Sequence, residues 1–150
     1  MLIQLLHEGQ SLSADLSAPI DLSIPLTAGP ETVNAWYCDP VKIEPVVMGS
    51  WVGDVNRGGS VNFRNVFLNP HGNGTHTECV GHISREGHSL NNELKNFFAW
   101  ASVISVTPQV SGEDHIIEAH QLLSGILPGS NAVVIRTLPN SMEKKHRQYS

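Results

Sequence analysis

The segment AWASVISV at residues 99–106 is the clearest indication of the fold, because it is rich in β-branched residues. A second apolar run, AVVI at residues 132–135, has the same strand-like composition. Between the two runs, a helix is predicted to begin at Glu113 or Asp114 and to stop at Pro128-Gly129. Its apolar face comprises positions spaced by three and four, which are Ile116, Ile117, Ala119, Leu122, Leu123 and Ile126. Strand, helix and strand within roughly 35 residues predict a βαβ unit. We therefore expect an α/β fold with a mixed β-sheet and flanking helices.

Shorter strands are expected nearer the N-terminus. Residues 20–24 alternate apolar and polar side chains, and residues 46–48 form a brief apolar run. A third strand is predicted within residues 60–68, after the turn marked by Gly58-Gly59.

The composition excludes several classes of protein. The chain has 150 residues, 40% hydrophobic and 15% charged, which fits one folded domain with a core of its own. A formal net charge of -5 argues against a nucleic-acid partner. There is no apolar run long enough to span a membrane, so no membrane association is expected. Two cysteines favour a reduced, cytoplasmic protein over one built on disulfides.

The segment HGNGTHTECVGH at residues 71–82 holds the residues most suited to chemistry. It contains three of the eight histidines of the chain. His76, Glu78 and His82 are separated by two and four residues, so in an extended stretch their side chains share one side. Two imidazoles and a carboxylate suit zinc, manganese or iron. His71 enters across a Gly-Asn-Gly turn and could add another nitrogen, whereas Glu78 could instead orient a histidine by hydrogen bonding.

The same segment resembles the motif of the putative cyclase family, which includes kynurenine formamidases and isatin hydrolases. That motif is His-x-Gly-Thr-His-x-Asp-x-Pro-x-His, and residues 74–82 follow most of it. Upstream, residues 21–26 are similar to the family's Asp-hydrophobic-Ser-x-Pro-Leu start, and residues 36–40 to its Trp-Pro-Gly-Asp-Pro segment. Residues 60–62 precede the motif much as a Gly-x-x-Asn stretch does there.

The resemblance implies a role for each matching residue. His76 would ligate a metal, Glu78 would take the place of an aspartate that bridges two metals, and His82 would donate and accept a proton. Trp36 would lie near the substrate. The implied fold is a swivelling β/β/α domain, assembled as a homodimer or a higher homo-oligomer. Because the family takes further His and Glu ligands from a later segment, we expect residues 1–150 to form a single cyclase-like domain lacking its C-terminal part.

The sequence departs from the family motif at three positions. Gly72 stands where the family has its leading histidine, and a one-residue bulge in the Gly-Asn-Gly turn could restore His71 to the site. Glu78 replaces aspartate, which adds one methylene to the carboxylate side chain. Val80 replaces proline, which removes a rigid φ but no ligand.

These observations predict a metal-dependent hydrolase of a small amide, similar to an arylformamidase of kynurenine and tryptophan catabolism. The expected cofactor is a divalent metal, zinc or alternatively manganese. The alternative is a metal-binding or interaction domain that keeps the fold with an altered site. A third reading is a purely structural sheet domain whose histidines are incidental.

Overall fold

A computed structural model describes residues 1–149 as an α/β protein, which confirms the predicted class. The strands are β1 Leu2–His7, β2 Gln10–Asp15, β3 Lys42–Pro45, β4 Val47–Met48, β5 Trp51–Val52, β6 Arg64–Phe67, β7 Ala101–Val106, β8 Gln109–Ser111, β9 Asp114–Ile116 and β10 Ala132–Thr137. The helices are α1 Pro70–Asn73, α2 Leu90–Glu93 and α3 Ala119–Leu123, and 3-10 turns cover Val55–Arg57, Val80–His82 and Met142–His146. Within residues 1–149, no helical segment has the length and hydropathy of a membrane span.

The strands do not join into the one mixed sheet that the sequence predicts. Within residues 1–149 they pair as five two-stranded sheets, of which β7–β10 is parallel and the other four are antiparallel. The chain divides into two compact units. We call Met1–Asp21 with Glu78–Ser141 the βαβ unit. We call Leu22–Thr77, with the described residues from Met142 onward, the loop-rich unit.

The core of the βαβ unit lies on one face of β7, whereas residues 133–137 of β10 are exposed. β7 and β10 run parallel with Ile104 opposite Ile135, and α3 lies in the connection between them. Burial alternates along β7, so Ser102, Ile104 and Val106 are buried while the residues between them are exposed. Gly125, just after α3, packs against Ile104, because a Cβ there would lie 3.0 Å from its side chain. The predicted βαβ unit is therefore confirmed.

Both ends of the predicted helix are wrong, because α3 covers only Ala119–Leu123. Gly112 has a left-handed φ of 66°, which closes a tight turn between β8 and β9 and puts Asp114 in a strand. The helix begins only at Ala119, after Glu118 and Gln121 form a reciprocal capping box. The turn at Gly112 therefore prevents a helix over the residues before Glu118, although their apolar side chains have helical spacing.

Two of the short predicted strands also need correction. Residues 20–24 form no strand, and the amide of Ile24 donates instead to Thr75 Oγ1 at 3.0 Å. The strand predicted within residues 60–68 is confirmed only over Arg64–Phe67. It begins late because Phe63 hydrogen-bonds to Gly53 and the Asn62 side chain accepts from the Val55 amide.

The loop-rich unit is held together by polar groups as much as by apolar ones. β3 pairs with β6 and β4 with β5. Val33 and Val41 are its buried apolar residues, and they lie in the same unit as the buried side-chain amides of Asn34 and Asn73. Buried amides stabilise a fold only when their hydrogen bonds are made. Both are made, since Asn34 donates to the Cys38 carbonyl at 2.7 Å and Asn73 donates to the Asp39 carbonyl at 3.2 Å.

Ile104→Ala should lower the free energy of unfolding by about 2–4 kcal/mol, because it leaves a cavity beneath α3. Val103→Ala is the matched control, since Val103 is the next residue on the same strand and is 68% exposed, and it should cost under about 1 kcal/mol. Urea denaturation of both variants measures the difference. Equal losses would contradict the assignment of the buried face.

Candidate functional site

The α1 turn carries His71 and is fixed by two asparagines. The Asn69 side chain accepts from the His71 amide at 3.0 Å, and Pro70 occupies the first helical position. Asn73 is 1% exposed, accepts from the Asn69 amide at 2.8 Å and donates to the Asp39 carbonyl at 3.2 Å. The sequence analysis did not select Asn69 or Asn73. The signal was present, because asparagine before proline is typical of a helix start.

Gly72 explains why the histidine of this turn is at position 71 and not at position 72, where the family motif has it. A Cβ at Gly72 would lie 2.6 Å from Cys38 Sγ and 2.9 Å from the Ala35 carbonyl oxygen. The Gly72 carbonyl also accepts from the Ala35 amide at 2.9 Å. A histidine at position 72 would therefore collide with the loop that carries Trp36. The histidine of this turn is residue 71 instead.

His71 and His76 are brought together by this turn. Their rings meet edge to face with centroids 4.9 Å apart. The short helix Pro70–Asn73 includes His71 and ends before His76. Both side chains are exposed.

The tautomer of His76 follows from its backbone neighbour. Nδ1 of His76 lies 2.9 Å from the Gly74 carbonyl oxygen. A carbonyl oxygen only accepts, so Nδ1 has to carry the proton and the lone pair of the neutral ring falls on Nε2. Histidines that ligate metals are commonly oriented in this way by a carbonyl on the other ring nitrogen.

Glu78 and His82 form the second pair of the segment. Nδ1 of His82 lies 3.7 Å from Oε2 of Glu78, four residues earlier. This distance is too long for a direct hydrogen bond and suits two groups that act on one shared water or ligand. The 3-10 turn Val80–His82 sets the spacing between Glu78 and His82. Gly81, in this turn, lies so close to the His88 carbonyl that a Cβ at Gly81 would overlap the carbonyl oxygen.

The two pairs are joined by the chain itself. His71 and His76 belong to the loop-rich unit, Glu78 and His82 to the βαβ unit, and the chain passes between the units at Thr77 and Glu78. Because His76 and Glu78 are two residues apart, their Cα atoms can be at most about 7 Å apart. Imidazole and carboxylate donors of this kind bind borderline divalent metals.

Trp36 lies on the loop that bonds to Gly72 through the Ala35 amide. Its ring is 81% exposed and its φ is 59°. The next residue, Tyr37, also has a left-handed φ, 52°, and is 88% exposed. The sequence analysis did not single out Tyr37, since nothing in its residue type indicates a positive φ.

A comparison with known protein families matches most of the chain. The family described as putative cyclase matches residues 15–150. The chain belongs to the putative cyclase family. The match covers the histidine segment, the loop that carries Trp36 and the strands β7 and β10 with α3 between them. Searches of curated proteins and of solved structures gave no significant match.

Gly72→Ala should destabilise the protein by about 1–3 kcal/mol, because the added methyl group overlaps Cys38 Sγ and the Ala35 carbonyl. Gly87→Ala is the control, since a Cβ at Gly87 meets nothing within 4 Å. Thermal unfolding followed by circular dichroism compares the two variants. A Gly72→Ala protein as stable as the Gly87→Ala protein would contradict the close approach.

Proposed function

We propose that this member of the putative cyclase family is a metal-dependent hydrolase of a small amide, similar to an arylformamidase. The observation that carries the proposal is the contact of His76 Nδ1 with the Gly74 carbonyl, which presents the Nε2 lone pair in a segment rich in metal donors. Family membership supports an enzymatic role. The finer fold that we propose with it is the swivelling β/β/α domain of that family.

The residues present fit a divalent metal by the chemistry of their donors. His71, His76 and Glu78 would hold the ion through imidazole nitrogens and a carboxylate oxygen, a set that suits zinc first and manganese second. Glu78 is one methylene longer than the family's aspartate and offers the same carboxylate donor. The carbonyl contact of His76 supplies the orientation that such a ligand needs.

The hydrolysis adds water across the C–N bond of the amide. A bound divalent ion would supply an acidified water and polarise the substrate carbonyl. Oxygen bonds to the carbonyl carbon, the C–N bond breaks, and His82 moves a proton from the attacking water to the leaving nitrogen. Glu78, 3.7 Å from His82 Nδ1, stabilises the protonated ring during this transfer. The products are a carboxylic acid and an amine.

The loop-rich unit has room for a small substrate near the α1 turn. A hollow of about 540 Å³, within the usual range for small-molecule sites, is lined by Cys38, Asp39, Phe67, Leu68 and Asn69, among others. Asn69 caps the turn that carries His71. We place Trp36 as a substrate contact and take N-formylkynurenine, an intermediate of tryptophan catabolism, as the test substrate.

A homodimer or a larger homo-oligomer in the cytoplasm completes the proposal. Its support is the exposure of large apolar side chains on the single chain. Leu2 and Leu6, on one face of the β1–β2 hairpin, are 71% and 79% exposed, and Phe97 and Phe98 are 76% and 85% exposed. Apolar surface of this kind is typical of contacts between subunits.

A metal-binding or interaction domain with an altered site is the second candidate. Gly72 in place of the family histidine and Glu78 in place of aspartate favour it. Bound metal without turnover of any amide would select this candidate.

Removing a proposed ligand should remove the metal. His76→Ala and Glu78→Ala should each weaken zinc binding by about 100-fold or more, because losing even an outer-shell partner costs 10- to 100-fold. His115→Ala is the matched control, since His115 lies on β9 outside the histidine segment. Competition with a chromophoric chelator measures the affinities. Unchanged affinity in His76→Ala would contradict the proposed ligand set.

His82→Ala should separate proton transfer from metal binding. We expect kcat/KM for N-formylkynurenine to fall by about 10²- to 10⁴-fold, because a general acid–base contributes that much, while zinc affinity stays within about threefold. Protein stripped of metal should be inactive and regain activity with zinc. Full activity of the stripped protein would rule out the mechanism.

A further inference from the structure

A second glutamate–histidine pair in the βαβ unit lies outside the residues to which the hydrolysis has been assigned. Nδ1 of His88 donates to Oε1 of Glu93 at 2.9 Å, and the two side chains are 38% and 47% exposed. Within the described residues 1–149, this bond is the one polar contact of the His88 ring, so Nε2 is accessible to a ligand. A carboxylate on Nδ1 orients an imidazole and stabilises its cation, while Nε2 exchanges the proton.

The short helix α2 holds this pair together. His88 directly precedes Ser89, which is the N-cap of the helix. The Glu93 amide donates to the Ser89 carbonyl at 3.0 Å, and the Leu94 amide donates to the Leu90 carbonyl at 2.9 Å. One turn of helix therefore returns the chain to the His88 ring at Glu93, because a turn takes about 3.6 residues. The contact between the two side chains thus follows from the backbone hydrogen bonds.

The 3-10 turn that contains His82 packs against His88 in the same unit. A Cβ at Gly81 would lie 3.2 Å from the Cβ of His88 and would overlap the His88 carbonyl oxygen. The Ser84 amide donates to the Val80 carbonyl at 2.9 Å, which folds the chain back after the turn. Consecutive Cα atoms are about 3.8 Å apart, so His82 is one such step from the residue that touches His88. Both imidazoles can therefore contact one small substrate.

Hydrolysis of an amide requires two proton movements. The attacking water loses a proton, and the nitrogen gains one as the C–N bond breaks, because an unprotonated amide nitrogen is a poor leaving group. His82 lies 3.7 Å from Glu78, whereas His88 is bonded to Glu93. The two rings are therefore oriented by different carboxylates, and each can serve one of the two proton movements.

We propose that His88 is a second catalytic residue, which protonates the leaving nitrogen while His82 takes the proton of the attacking water. This role rests on the proposed amide hydrolase function and divides between two histidines a transfer assigned above to His82 alone. Nε2 of protonated His88 gives its proton to the nitrogen, and the electron pair of the broken C–N bond stays on that nitrogen. His82 is then protonated and His88 neutral, and exchange with solvent restores both. Glu93 is a positioning residue that acts through Nδ1 of His88.

The test varies the leaving amine, with p-methoxyformanilide and p-nitroformanilide as substrates of the zinc-loaded full chain. His88→Gln should lower kcat/KM about 100-fold for the methoxy compound and less than about tenfold for the nitro compound, because a better leaving group depends less on a general acid. Glu93→Gln should show the same selective loss at about tenfold, because the bond to Nδ1 loses its charge. His82→Ala should lower kcat/KM for both compounds alike.

His120→Gln is the matched control. Nδ1 of His120 lies 2.9 Å from Oε2 of Glu118 in the same unit, so this variant removes an equivalent pair outside the site. Both kcat/KM values should stay unchanged. Equal losses for the two compounds in His88→Gln, or no loss for either, would overturn the role of His88 and leave the proposed function standing. Failure of the wild-type protein to hydrolyse either compound would overturn both.

A measurement without turnover reads the same contact. Aniline is the amine that formanilide releases, and it is not itself hydrolysed. Adding aniline to the zinc-loaded protein should shift the Nε2 resonance of His88 in nitrogen NMR spectra and leave that of His120 in place. A shift at neither histidine, or an equal shift at both, would contradict the placement of His88 at the leaving nitrogen.

Discussion

The close approach of Gly72 to the loop at residues 34–38 is the constraint on which the candidate site depends. Because Gly72 has no side chain, its backbone lies against Cys38 and bonds to the Ala35 amide. This one contact places the turn that carries His71 next to the loop that carries Trp36. It also leaves no room for a histidine side chain at position 72. The turn has its histidine at position 71, and the His71 ring contacts the His76 ring. A departure from the family motif thus has a steric cause.

Side-chain amides hold the loops of this region in place, a role that a larger apolar core has in other proteins. The side chains of Asn69 and Asn73 hydrogen-bond to backbone groups of the α1 turn, and the Asn34 side chain bonds across the loop at residues 34–38. Each amide satisfies backbone groups that regular secondary structure leaves unpaired, so short, irregular elements hold defined positions. The consequence for function is that His71, His76 and Trp36 are presented by hydrogen-bonded loops. Such loops position polar side chains at the surface, where a substrate can reach them.

The sequence predicted those parts of the fold that depend on local composition. The strand-like runs at β7 and β10 form a parallel pair, as their composition predicts. The prediction from the sequence failed where a single residue overrode a pattern. The turn at Gly112 makes a hairpin of the residues predicted to start the helix. Residues 20–24 form no strand, because Ile24 bonds to the Thr75 side chain and not to a neighbouring strand. The strained φ of Tyr37 could not be predicted, because it follows from hydrogen bonds at both ends of its loop.

The central claim is that the segment from His71 to His82 binds a metal through imidazole and carboxylate donors. X-ray absorption spectroscopy at the zinc edge of the zinc-loaded protein tests it most directly. The account predicts a first shell of nitrogen and oxygen atoms at about 2.0–2.2 Å with the outer scattering of imidazole rings. A sulfur atom at about 2.3 Å would instead place the ion on Cys38 or Cys79 and contradict the account.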